Sequence, residues 1–100
     1  MAATPDPVAV EKKMALTHAD FFRIIPRVLG TDNFEKKPDG VILEDGEKRL
    51  EITLGPERER RIANLRVPAT DVRLEFSGYT DSERAAQLDL FERMFQKGGG

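Results

Sequence analysis

RIANLRVPATDVRLEFS, Arg61–Ser77, is the stretch whose reading decides the fold. Ala63, Leu65 and Val67 alternate with Asn64 and Arg66; Val72, Leu74 and Phe76 alternate with Arg73 and Glu75. Successive strand side chains point to opposite faces, so each run has one apolar edge and one charged edge. Pro68-Ala69-Thr70-Asp71 between them reads as a turn. The pattern predicts the centre of an antiparallel sheet with one face on a core and the other in water.

Upstream, Asp45-Gly46 between apolar runs predicts a two-residue type I′ hairpin turn. It would pair Glu44 with Glu47, Leu43 with Lys48 and Val41 with Leu50, placing Val41, Leu43, Leu50, Ile52 and Leu54 on one face. Lys37-Pro38-Asp39-Gly40 is a second turn, with proline presetting φ and glycine supplying a positive one. It sets a short edge strand, Phe34 to Lys36, with Phe34 opposite Leu43. Gly55 to Arg60 is a charged connection. The simplest continuation places Ile52 opposite Ala63 and Leu65 opposite Leu74, and Gly78 ends the sheet.

Two helices flank the strands. Thr17 and Asp20 have capping-box spacing, Leu16 can staple onto Phe21, and Phe21, Ile25, Val28 and Leu29 share a helical face. Pro26 conflicts with this, since an interior proline costs about 3 kcal/mol, so a kink at Phe22 or a stop near Ile24 is expected. Gly30 is a natural terminator. Thr80-Asp81-Ser82-Glu83 is another capping box, opening a helix from about Asp81 to Gln96 with Leu88, Phe91 and Phe95 as its inner stripe. The fold class is therefore α+β: a helix, a four- to five-stranded antiparallel meander and a C-terminal helix, with both helices on one sheet face. Residues 1–13 read as a flexible leader, 14–97 as a single domain and 98–100 as a frayed glycine tail.

A chain of 100 residues, 39% apolar with six Phe, can bury one core without staples. A charged fraction of 34% and a formal net charge of −2 give no overall pull toward nucleic acid or an anionic membrane. Without cysteine there is no thiol nucleophile or thiolate ligand, which suits a reducing cytoplasm. No apolar run reaches the roughly 18–20 residues that span a bilayer. A cytoplasmic protein is expected.

Candidate sites are few. The registers above would align Arg49, Arg66 and Arg73 in a row on the open face, with Glu51, Asn64 and Glu75 beside it. A lattice of surface ion pairs is the simpler outcome. An anion or acidic-partner site is the functional one, because arginine forks bind carboxylate and phosphate. Nucleic acid is not expected: the open face has no aromatic ring for stacking, and Glu57 and Glu59 interleave with Arg58, Arg60 and Arg61. The apolar arc of the last helix is wider than one sheet contact needs. It is either wedged between the sheet and the first helix, or it exposes Ala86, Leu90 and Met94 to a partner or second copy. His18, the one histidine, suits a surface role, and no metal-ligand spacing, catalytic triad or phosphate loop is present. No cofactor is expected, and catalysis has no positive support. The reading is a small non-catalytic protein-interaction module or accessory subunit. It would bind a protein partner or itself through the last helix or a sheet edge; the alternative is a small-anion binder using the arginine row.

Overall fold

The computed structural model describes residues 7–98, with side chains through residue 96. The order is β1 (Val8–Met14), α1 (His18–Leu29), β2 (Glu35–Lys37), β3 (Gly40–Asp45), β4 (Lys48–Leu54), β5 (Arg58–Ile62), β6 (Leu65–Ser77) and α2 (Asp81–Gly98). The strands form an antiparallel sheet in the order β1-β6-β4-β3-β2, and β5 pairs with β6 off that path. The fold is α+β, as expected, with one more strand than the meander allowed.

β1 comes from the expected leader and β5 from the expected charged connection, while two expected strands merge into β6. Val8 to Met14 pairs along β6, with Val10 opposite Leu74 and Lys12 opposite Val72. Val8, Val10, Lys12 and Met14 thus share the core face, and Lys12 spans to Glu92 of α2 as an ion pair. Proline and charge obscured a period-2 pattern in which only three of the four inward positions are apolar. Residues 1–6 and Gly99–Gly100 lie outside the described residues.

α1 begins as its sequence dictates. The Thr17 hydroxyl accepts from the Asp20 N–H at 3.1 Å, and the Asp20 carboxylate accepts from the Thr17 N–H at 3.4 Å, completing the capping box. Arg23, 3.2 Å away, and then the Thr17 N–H hold the Asp20 carboxyl below its usual range. The helix neither stops nor restarts at Pro26. The proline lies in the last turn, so one backbone bond is forgone, and Gly30 closes the end at φ 69° by donating to the Pro26 carbonyl at 2.9 Å. α2 is capped likewise: Glu83 N–H donates to the Thr80 hydroxyl at 3.1 Å, and Thr80 N–H to the Glu83 carboxylate at 2.9 Å.

The β3–β4 hairpin forms with a different register. Leu43 pairs with Leu50, Val41 with Ile52, Glu44 with Arg49 and Asp45 with Lys48, so the turn residues are Gly46 and Glu47. Only Gly46 of that pair has positive φ, at 64°, the type II′ pattern rather than I′. The two-residue slip leaves every side chain on its expected face. It replaces a Glu44–Glu47 repulsion with opposite-charge and apolar cross-strand pairs, which explains the choice. The β2–β3 register agrees with expectation, Glu35 lying opposite Ile42 and Lys37 opposite Gly40.

One core lies between sheet and helices. Phe21, Ile24, Ile25 and Val28 of α1 and Phe91 and Phe95 of α2 pack on Val41, Leu50, Ile52, Leu54, Val72, Leu74 and Phe76. Phe21 stacks on Phe95 with centroids 5.7 Å apart, so the helices also seal against each other. Fully burying one such side chain is worth about 1.5–3 kcal/mol. Thr70 is the one polar residue buried among the described residues; its hydroxyl donates to the Leu16 carbonyl at 2.8 Å, tying β6 to the entry of α1.

The central expectation fails at Pro68–Asp71. These residues form no turn, and β6 runs unbroken from Leu65 to Ser77. In the sheet its neighbour is β4, with Ile52 opposite Leu74 and Leu50 opposite Phe76, so Ile52–Ala63 and Leu65–Leu74 pairing does not occur. Within one strand, Leu65 and Val67 must point away from the face that carries Val72, Leu74 and Phe76. Past Thr70 the flank beyond β1 has no partner strand, a position where the missing N–H of Pro68 costs no ladder bond. The first part of β6 therefore leaves the body with β5, and the molecule measures 57 × 25 × 24 Å.

Candidate functional site: a projecting hairpin arm

β5 and the start of β6 form a two-stranded arm closed by Ala63-Asn64. Its pairs are Arg58–Ala69, Glu59–Pro68, Arg60–Val67, Arg61–Arg66 and Ile62–Leu65. Ala63 adopts φ 54°, the left-handed conformation a tight hairpin turn requires and alanine rarely takes. At about 3.4 Å per residue, the arm's five pairs extend roughly 17 Å.

Pairing fixes what each face carries. Arg58, Arg60, Ile62, Leu65, Val67 and Ala69 share one face; Glu59, Arg61, Arg66 and Pro68 share the other. Residues 58–66 are all exposed, Leu65 by 67% and Ile62 by 55%. A groove of about 500 Å³ runs between the arm and the end of β1, lined by Met14, Ala15, Arg58, Arg60, Val67 and Pro68 among others.

The base is held by α1 and β6. Gly55 N–H donates to the Asp71 carbonyl at 2.8 Å, and the Gly55 carbonyl accepts from His18 Nε2 at 2.7 Å. His18 N–H donates to the Glu57 carboxylate at 2.6 Å. His18 is thus a structural clamp at the root of the arm. On the arm, Arg66 pairs with Glu59 at 3.3 Å. Arg58, Arg60 and Arg61 have no carboxylate partner among the described residues.

The predicted arginine row does not form. Arg49 lies opposite Glu44 and Ser77, Arg73 opposite Glu11 and Thr53, and Arg66 opposite Arg61 on the arm. The row depended on a strand at residues 63–67 between β4 and the second run, and β4 pairs directly with that run instead. Arg49 and Arg73 do share the open face, but each is engaged: Arg49 with Glu51 at 3.3 Å, Arg73 with Glu11 and Glu75 at 3.0 Å each. Glu75 first, then Glu11, raise the Arg73 pKa further. Lys37 reaches Glu51 at 2.5 Å and lowers its pKa. This is the lattice of surface ion pairs, in which Glu51 and Glu75, directly opposite, are each met by cations.

The three α2 residues also part company. Met94 packs against the core, whereas Ala86 and Leu90 are exposed, Leu90 by 38%. Most of the wide apolar arc is consumed by the wedge between sheet and α1. Among the described residues no group of three or more His, Asp or Glu side chains could hold a metal ion, and no helix is long and apolar enough to cross a membrane.

From sequence, Arg58, Arg60 and Arg61 read as cancelled by Glu57 and Glu59 and Leu65 as core, and Ile62 carries no reading. The signal that could have found them is the parity of the apolar positions: odd at Leu65 and Val67, even at Val72, Leu74 and Phe76, with no glycine between. No family model matches the chain, and neither a curated protein nor a solved structure does.

Proposed function

We propose that this chain is a small non-catalytic interaction module whose α+β body holds the β5–β6 arm out to a macromolecular partner. Of the two surfaces expected from sequence, the last helix and a sheet edge, the geometry favours the edge. The observation that carries this reading is that Ile62 and Leu65, a cross-strand apolar pair, stand at the tip of an arm that buries no core. An exposed apolar pair at the tip of a projection supports a contact role, since it contributes little to folding. Among the described residues only β6 pairs with β5, which leaves β5 a free edge, and free edges template further pairing. The anion reading loses its support with the arginine row.

Photo-cross-linking tests this. A photoreactive side chain at position 65 is expected to give discrete adducts in extracts of the protein's own cells, and one at position 90 none. Adducts from 90 and none from 65 would move the contact to α2.

A further inference from the structure

Resting on that reading of the arm, we propose that its partner is a duplex nucleic acid, entered tip-first along a groove. Glu57 and Glu59 nearly cancel the nearby arginines in sequence, but the structure separates them. Glu57 is turned back onto the N–H of His18 at the root, and Glu59 is engaged by Arg66. Arg58, Arg60 and Arg61 remain without a carboxylate among the described residues, all exposed. The arm, residues 58–69, carries four Arg and one Glu, a formal +3, so the remaining residues of a chain of net −2 sum to −5. The field is therefore local, and the body does not share it.

The distribution of those charges selects the partner. Arg58 and Arg60 lie on one face of the ribbon, Arg61 and Arg66 on the other. A partner that docks on one face of the ribbon leaves the arginines of the other face unmet. A duplex groove has phosphates on both walls, and its major groove, about 12 Å wide, admits a two-stranded β-ribbon. Ile62 and Leu65 at the tip then meet the groove floor, where thymine methyls accept apolar side chains. The arginines position and the tip discriminates.

Fluorescence anisotropy of a labelled mixed-sequence duplex of two helical turns, titrated with the full chain, tests this. Three phosphate contacts predict a salt slope near −2.7, so affinity falls roughly 40-fold between about 50 and 200 mM salt. The variant Arg58→Ala/Arg60→Ala/Arg61→Ala, its fold checked by circular dichroism, is expected to lose binding. Arg49→Ala/Arg73→Ala should bind as the parent does, and Ile62→Ser/Leu65→Ser should bind more weakly with the same salt slope. The proposal is overturned if the parent binds no duplex at low salt, or if the triple variant binds equally well. It is also overturned if polyglutamate displaces the duplex as effectively as unlabelled duplex. Cross-links from position 65 to protein, with no duplex binding, would keep the arm as the contact element and reject nucleic acid as its partner.

Discussion

Truncating Leu65 and truncating Leu74 should have very different consequences, although both are leucines of the same strand. Leu74 is fully buried between β4 and the helices, whereas Leu65 is 67% exposed on the arm. Leu→Ala in a packed core removes transfer free energy and leaves a cavity, costing about 2–5 kcal/mol. With a central figure of about 3 kcal/mol, and 4–8 °C per kcal/mol for a domain of this size, Leu74→Ala should lower the melting temperature by roughly 12–24 °C. Leu65→Ala should stay within about 0.5 kcal/mol of the parent, the range of ordinary surface changes. Urea unfolding of both variants, with midpoints compared at a common m value, measures the difference. Had the chain turned at Pro68–Asp71, Leu65 would sit beside Leu74 on the core face of the sheet and the losses would match. A loss above about 2 kcal/mol for Leu65→Ala would refute the projecting arm.

Three further outcomes follow from the body. Thr70→Val keeps the volume but leaves the Leu16 carbonyl without its donor, so stability should fall by about 1–3 kcal/mol, with faster amide exchange in the first turn of α1. Glu51 is held below the ordinary glutamate value of 4.5, first by the Lys37 hydrogen bond, and Glu83 likewise by Lys48. A depressed folded pKa gives stability that is complete above the unfolded value and lost as pH falls through the folded one. Melting temperature should therefore drop on acidification below about 4.5, and less steeply for Glu51→Gln; equal acid limbs would exclude this pair as a contributor. Gly78→Ala should be far more damaging than Gly46→Ala. Both glycines have positive φ, but a Cβ at Gly78 would lie 2.2 Å from the Glu47 carbonyl oxygen, whereas Gly46 faces open space. Thermal melts rank the two.

Local chemistry made much of the body legible from sequence. Both capping boxes, the Gly30 stop and the inward faces of β3, β4 and the second half of β6 follow from spacing alone. The β3–β4 slip was not legible, because Asp-Gly favours a type I′ turn while the cross-strand partners favour one residue further on, and partners won. β1 was hidden because Lys12 occupies an inward position and reaches Glu92, which breaks the apolar alternation. The arm was missed for a more general reason. Alternation reports that a segment is a strand, but not whether its apolar edge is covered. Reading Leu65 and Val67 as core forced a turn at Pro68–Asp71, and that turn in turn produced the arginine row. Once β6 is continuous, the row disperses and Arg58, Arg60 and Arg61 come forward.

β6 belongs to both the body and the arm, and this has a mechanical consequence. A free two-stranded hairpin is marginal in water. Here one of its two rails is a beam clamped between β1 and β4 for half its length, with Gly55 and Asp71 bonded at the support. A rail anchored in this way makes the arm a cantilever, and docking at its tip should sacrifice less freedom than docking of a free hairpin. Along β6 the arm leads inward to Thr70, whose hydroxyl bonds the Leu16 carbonyl just ahead of the first turn of α1. The same turn grips the other rail through His18 and Glu57.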